Sequence, residues 1–371
     1  MGVQREFEGR DLEEALTAAS IALGVTRERF QFRLVDEGQW RPLVILSFAA
    51  DWQLTRGSPA WLHAVNLLWH AAATALLVPV LALYVPAAAA LAGGLLFAVH
   101  PVHVEAVANL VGRAELMAAV FLLSAVLISR LIRRRLAAGR ATWQAEVALL
   151  AVVAAALLSK EHAAVAVALL AIDDMASRGR IPRALPWRDY AAVAALTVLW
   201  FALRRPVDAG ESFAVVAPTF FGLGAAGRVS TMLPVVFVLA RLMVWPFQLS
   251  ADYLPALVPR LEHLTALGLA GLLFLVSLAW LAAAAWRSHR ALAVGLLVMA
   301  VAWLPTANLL FPTGVVLAER TLYLASAGFA LIAATAFERL ERWRGLRVAS
   351  LLVAVVVVAF GLRSATQATV W

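Results

Sequence analysis

From Trp61 to Leu362 the chain runs through one apolar stretch after another, most long enough to cross a hydrocarbon core of about 30 Å, with arginine-rich connections between them. A backbone in lipid must satisfy its own hydrogen bonds, so runs of this kind fold as helices. Their spacing predicts spans near 61–84, 86–99, 114–132, 143–159, 162–175, 187–203, 229–248, 264–286, 291–310, 320–337 and 346–362. Of the 371 residues, 63% are hydrophobic and 15% charged, far from the balance of a soluble domain. The sequence therefore reads as an all-α polytopic membrane protein, a bundle of about ten or eleven transmembrane helices. The net charge of +8 comes from the arginines between spans, the pattern of cytoplasmic loops rather than of a basic stripe, so no nucleic-acid partner is expected for the membrane region. The chain has no cysteine, which excludes disulfides and thiolate metal sites.

Arginine placement sets the expected orientation. Arg130, Arg133, Arg134, Arg135 and Arg140, then Arg178, Arg180, Arg183 and Arg188, then Arg287 and Arg290, and finally Arg339, Arg342, Arg344 and Arg347 mark cytoplasmic connections. The opposite face receives Arg41–Arg56, His100–Glu115, Ser159–His162, Asn308–Arg320 and the C-terminal end. Parity then requires that one segment between 204 and 248 return without crossing. The Gly- and Pro-interrupted ESFAVVAPTFFGLGAAG of 211–227 is expected to be re-entrant, leaving Ser250–Tyr253 on the outer face.

Residues 1–39 differ from the rest. They are charged, with helical spacing in DLEEALTAASIALG and alternation in FQFRLV, which predicts a small soluble α/β unit. They lack the basic n-region and unbroken apolar core of a signal peptide.

Four polar constellations gather on the outer face. HPVHVEA and GRAE carry His100, His103, Glu105, Arg113 and Glu115; Pro101 ends the preceding helix. SKEH holds Ser159, Lys160, Glu161 and His162, and Lys160 is the chain's one lysine. LSADY brings Asp252 and Tyr253, and VVLAERTLYLAS brings Glu319 and Arg320. Ionisable groups at membrane depth mark sites and pathways more often than scaffolding. A lipid phosphate needs Arg or Lys at its head group and a carboxylate for acid or base work. Arg113, Lys160 and Arg320 supply the first; Glu105, Glu161 and Asp252 supply the second. Each also has a plainer reading: Arg320 snorkelling at a helix end, Lys160–Glu161 as a helix-end ion pair, His100 and His103 as structural hydrogen-bonding groups ahead of metal ligands. Asp51, Asn66 and His70 read as core polar contacts, and Asp173 with Asp174 as a solvated helix end.

The segments WRPLVILSF (40–48), HAVNLLWH (63–70), LFAVHPVHVEAVANLVGRAELMAA (96–119), LLSKEHAAVAVALLAIDD (157–174), WPFQLSADY (245–253) and ANLLFPTGVVLAERTLYLASAGF (307–329) together resemble the TMTC family of membrane protein O-mannosyltransferases, in order, from about Trp40 to Trp371. The resemblance implies a GT-C-type bundle over 40–371 and a polyprenyl-phosphate sugar donor, bound at the face opposite the cytoplasm. It further implies transfer of a hexose, mannose by analogy, to Ser or Thr hydroxyls of a protein acceptor. Under it, Arg113, Lys160 and Arg320 contact the donor phosphate, while Arg41, His100, His103, Glu105, Glu115 and Glu161 build the pocket. No metal ligand is assigned, and the need for a divalent ion is left open. Residues 1–39 resemble the N-terminal domain of Jag RNA-binding proteins instead. The family's first membrane helix with its acidic external loop, and its C-terminal repeats, have no counterpart in the sequence. Glu105 and Asp252 are then the fallback candidates for the base.

Three readings follow: a glycosyltransferase in the inner membrane of a bacterium, working on the non-cytoplasmic face; an inactive relative that still binds a polyprenyl phosphate or a partner protein; and a transporter of lipid-linked sugar. Polar groups concentrated on one face count against the third.

Overall fold

The computed structural model describes residues 41–177, 184–208, 217–220, 222–250, 253 and 258–369. The expected α/β unit over 1–39, Asp252, and residues 211–216 of the expected re-entrant segment lie outside them. Among the described residues every regular element is helical, as the apolar runs require. In chain order these are α1 (Pro42–Thr55), α2 (Pro59–Leu81), α3 (Ala87–Val99), α4 (Val104–Ala108), α5 (Arg113–Ala137), α6 (Trp143–Ser159), α7 (Ala166–Ser177), α8 (Trp187–Asp208), α9 (Ala225–Met232), α10 (Val235–Val244), α11 (Ala266–Ser288), α12 (Arg290–Trp303), α13 (Ala325–Arg344) and α14 (Leu346–Ala368). The protein is an integral membrane protein of the all-α class.

By length and composition alone, five stretches qualify as membrane spans: Pro59–Leu81, Leu110–Ala137, Ala225–Val244, Ala266–Ser288 and Leu346–Ala368. A sixth is added if α3 and Pro101–Ala108, which meet at 49°, count as one. This is fewer than the ten or eleven expected, because helices such as α6 and α7 stop short of the length that a span demands.

Side-chain ties nevertheless divide the bundle into two ends. At one, Tyr84, Arg130, Arg133, Asp173 and Asp174 interlock, Arg188 donates to Glu146 (2.7 Å), and Arg290 donates to the Ala176 carbonyl (3.2 Å). At the other, Arg41 meets Glu161, Lys160 meets Glu115, Arg320 meets Glu105, and Ser364 donates to the Val99 carbonyl (2.9 Å). Ten helical segments pass between these ends: α2, α3, α5, α6, α7, α8, α11, α12, α13 and α14.

The segment from 225 to 244, which overlaps the expected span at 229–248 and qualifies by length and composition, is tied differently. Arg228 reaches the carbonyls of Asn308 (2.8 Å) and Leu310 (3.1 Å), while Met243 accepts from His100 (3.0 Å) and Phe247 accepts from Arg363 (3.1 Å). Both extremities of α9–α10 are thus tied to the end that carries Glu105 and Lys160. Ser250 and Tyr253 stand at that same end, bonded to Glu319.

A second correction concerns Asp173 and Asp174. They are buried rather than solvated: Arg130 grips Asp173 through Nε and Nη2 (2.6–3.0 Å), Arg133 bridges both aspartates, and Tyr84 donates to Asp173. Two guanidinium groups against two carboxylates leave no uncompensated charge, the condition under which buried ions are tolerated.

Close helix approaches rest on small residues. A Cβ added at Gly328 of α13 would stand 2.4 Å from the Gly295 carbonyl oxygen of α12, and one added at Gly93 of α3 would stand 2.7 Å from the Ala330 oxygen. Backbone-to-backbone contact of this kind is what holds helices together where the solvent is itself apolar. Gly328→Val should therefore wedge α12 from α13 and destabilise by on the order of 2–3 kcal/mol, read as a lower melting temperature of the detergent-solubilised protein.

Candidate active site at the ion-paired end

At the ion-paired end several helices stop early and are finished by short 3-10 turns: Pro101–His103, Leu110–Gly112, Glu161–Val165, Leu304–Thr306 and Glu319–Leu322. Sequence accounts for each break. His100 is extended (ψ 122°) because the ring of Pro101 disfavours the helical region for the residue before it. Lys160 is also extended (φ −158°, ψ 138°) and ends α6. Asn308, at φ 55°, is a side-chain type that tolerates the left-handed region. Its amide knits the 306–316 loop, donating to Val315 and Val316 carbonyls (3.0 and 3.2 Å) and accepting from the Thr313 N–H (2.6 Å). Irregular backbone at membrane depth is stable only where protein covers it, and the turns at Pro101–His103 and Glu319–Leu322 are the most buried of these.

Ion pairs gather where these turns meet. Arg113 has no exposed side-chain surface. Its Nε donates to Asn66 Oδ1 (2.8 Å), Nη1 donates to Ser47 (3.2 Å) and to Asp51, Nη2 donates to the Leu62 carbonyl (3.2 Å), and the guanidinium stacks 3.9 Å from the Phe48 ring centroid. Asp51 also accepts from Trp61 Nε1 (3.0 Å). With Asp51, Ser47, Asn66 and Leu62 as partners, Arg113 fastens α1 and α2 to α5, and its donors are spent on protein rather than aimed at a ligand.

Glu115, one face of the same helix onward, takes Lys160 on Oε1 and lies 3.1 Å from His162 Nε2 through Oε2. Burial pushes Lys160 below its usual range, opposed by the Glu115 charge. Glu161 is embraced by Arg41, whose Nη2 approaches both carboxylate oxygens (2.9 and 3.2 Å) while Nε reaches Oε2 (3.3 Å). Arg204 of α8 stands 3.8 Å from the same carboxylate. Glu105 accepts the backbone N–H of Arg320 (2.9 Å) and its guanidinium. Glu319, the preceding residue, accepts from the Tyr253 hydroxyl (2.6 Å) and the Ser250 N–H (2.8 Å). The turn at 319–320 therefore joins the 250–253 segment to the 101–108 segment.

The histidines are structural. A carbonyl only accepts, so His100 Nε2 carries the proton that it gives Met243 (3.0 Å), and Nδ1 accepts from the Val102 N–H (3.3 Å). By the same logic His70 donates to the Ala98 carbonyl (3.0 Å) and accepts from the Tyr323 hydroxyl (2.7 Å). His103 Nε2 meets the Ser326 hydroxyl (2.7 Å). His70 and His103 pack against Phe97 and Tyr323, and His100 packs edgewise on Phe329 and Phe360. Among the described residues no three His, Asp or Glu side chains converge as a metal site.

Sequence reading thus named Arg41, Glu105, Glu115, Lys160, Glu161 and Arg320, and folding brings them to one end of the bundle. It placed Arg113 on a ligand, whereas the structure encloses it. It missed Arg204, written as one of two arginines closing an apolar run and so indistinguishable from a helix-end charge. It did not anticipate that Glu319 and Tyr253 pair. Asp252, next to Tyr253 in sequence, lies outside the described residues. Three of the cations keep an open edge: side-chain exposure is 13% for Arg41, 17% for Arg320 and 19% for Arg204.

Glu319 yields a stability test. Burial pushes its carboxyl up to about 7, against the pull of the Tyr253 and Ser250 hydrogen bonds, and the nearby Glu105 charge adds to the rise. A folded state that keeps this proton longer than the unfolded chain does is favoured at low pH. Its advantage fades as pH rises through that window, by about 1.4 kcal/mol per unit at the steepest. Melting temperature should fall from about pH 5 to pH 7.5, and Glu319→Gln should flatten that dependence.

No family model matches the chain, and no solved structure matches it. Curated proteins do. The chain is 28% identical over 330 residues to the human protein named "Protein O-mannosyl-transferase TMTC3", covering 81% of this chain and 36% of that protein. It is 27% identical over 310 residues to "Protein O-mannosyl-transferase F38B6.6" of Caenorhabditis elegans, covering 81% and 43%. A shorter stretch of 143 residues is 43% identical to "Protein O-mannosyl-transferase Tmtc2" of Drosophila melanogaster, covering 38% and 15%. The chain spans less than half the length of each of these relatives.

Proposed function

The chain is a TMTC-type homologue, and from that premise we propose that it is the membrane domain of a glycosyltransferase that moves a hexose, mannose by analogy, from a polyprenyl phosphate to a Ser or Thr hydroxyl of a protein. One observation carries this reading: partly open arginines, Arg320 and Arg41, stand with buried Lys160 at one end of the bundle. The ion-paired end is the non-cytoplasmic one, since the arginine-rich connections stand at the other.

The chemistry follows from charge development. The acceptor oxygen attacks C1 of the sugar, the C1–O bond to phosphate breaks, and the hydroxyl proton passes to a base. The departing phosphate gains a negative charge, which Arg320 and Arg41 meet with fixed donors in a site sheltered from water. Glu105 already gives its carboxylate to the backbone and side chain of Arg320, so it aims that guanidinium rather than taking the proton. The base falls to Asp252, which the chain holds between Ser250 and Tyr253, two residues anchored on Glu319. His100, His103 and Glu115 shape the wall behind them, and no residue set is assigned to a metal.

Transfer of label from a polyprenyl-phosphate mannose to a Ser/Thr-rich protein by the lipid-reconstituted chain tests the proposal directly. Asp252→Asn should lower transfer by roughly 10²–10⁴ while donor binding persists. Arg320→Ala should weaken both by about tenfold or more. Binding by the parent chain with no transfer under any condition would support the inactive relative instead. Transport is disfavoured because the ionisable groups gather at the ends of the bundle rather than along its length.

A further inference from the structure

The carboxylates of the site are not equally enclosed. Glu105, Glu115 and Glu319 are buried, whereas the Glu161 side chain is 34% exposed. Two arginines from distant parts of the chain converge on it, Arg41 at the start of α1 with both oxygens in reach and Arg204 near the end of α8 at 3.8 Å. Lys160 lies directly behind, held back by Glu115. Arg204 also faces Trp200, 5.3 Å from the ring centroid, which fixes the height from which it approaches. A carboxylate held by arginine forks has the same donor geometry as a phosphate held by them. An arriving phosphate therefore competes for Arg41 and Arg204 with an anion already built into the protein.

The competition matters most after transfer. A sugar-bearing polyprenyl phosphate is a diester with one negative charge; once the sugar leaves, the monoester carries close to two near neutral pH. A site of arginines alone would hold that product more tightly than the donor.

Resting on the donor reading above, we propose that Glu161 is the counter-anion that reclaims Arg41 and Arg204 from the polyprenyl monophosphate product and so clears the site, with Arg204 a phosphate ligand. Its exposure gives it room to swing toward water when phosphate enters, a freedom that buried Glu105 and Glu115 lack.

Farnesyl phosphate, with uncharged farnesol as control, is titrated against the full chain in nanodiscs at fixed ionic strength. Glu161→Gln, which keeps the shape and removes the charge, should bind farnesyl phosphate about tenfold more tightly, and Arg204→Ala about tenfold more weakly. Farnesol affinity should be unmoved in both. Unchanged or weaker binding by a Glu161→Gln protein that melts like the parent overturns the proposal. If that variant does not fold, Glu161→Asp, which withdraws the charge by one methylene, should tighten binding to a smaller degree; no change there is equally fatal. Binding that is lost in Arg320→Ala yet indifferent to Glu161, Arg41 and Arg204 overturns this inference and leaves the donor site standing. No binding of farnesyl phosphate by the parent or any variant overturns both.

Discussion

A charge carried into a low-dielectric interior must bring its partner with it, because breaking one member out of a buried pair costs about 3–5 kcal/mol. The contact of Arg113 with Asp51 is the clearest instance, and much of the ion-paired end depends on it. The guanidinium is enclosed and ties α1, α2 and α5 into one unit. α5 in turn carries Glu115, which positions Lys160, and α1 carries Arg41, which positions against Glu161. The open arginines keep their aim because a closed one fixes the helices beneath them.

Most of the fold was legible because apolar length and arginine placement are local properties. Helix breaks were legible too: Pro101 announces the bend between α3 and α4. Partnerships were not. Arg113 and Asp51 are separated by 62 positions, Arg41 and Glu161 by 120, Arg320 and Glu105 by 215, and a sequence states which charges exist without stating which will meet. For that reason Arg113 read as a phosphate ligand, and Asp173 with Asp174 read as a solvated helix end beside an arginine-rich loop, when the same arginines had turned inward to neutralise them. Arg204 escaped notice on the same ground.

The two charged ends solve the burial problem differently. At the Arg130–Asp173 end Arg130, Arg133, Asp173 and Asp174 are buried and paired with one another, which suits a clamp between helices. At the other, Arg41, Arg204 and Glu161 stay partly open, and Glu319 is held as a carboxyl that gives up its proton only near neutrality. The second arrangement is the one on which the proposed transfer rests, and the two ends differ in how much of their charge stays open.

The α9–α10 segment bears on how the chain is made. Its twenty residues pass the test of a span by length and composition, yet both extremities finish at the same end of the bundle. Insertion machinery that commits each apolar stretch as it emerges would send this one across, and every later helix would then be threaded upside down. Of the partners that tie it there, His100 is synthesised earlier and Asn308, Leu310 and Arg363 later. Its placement therefore draws on contacts from both sides of it in the sequence, and the length and hydropathy of its twenty residues do not by themselves set where it ends.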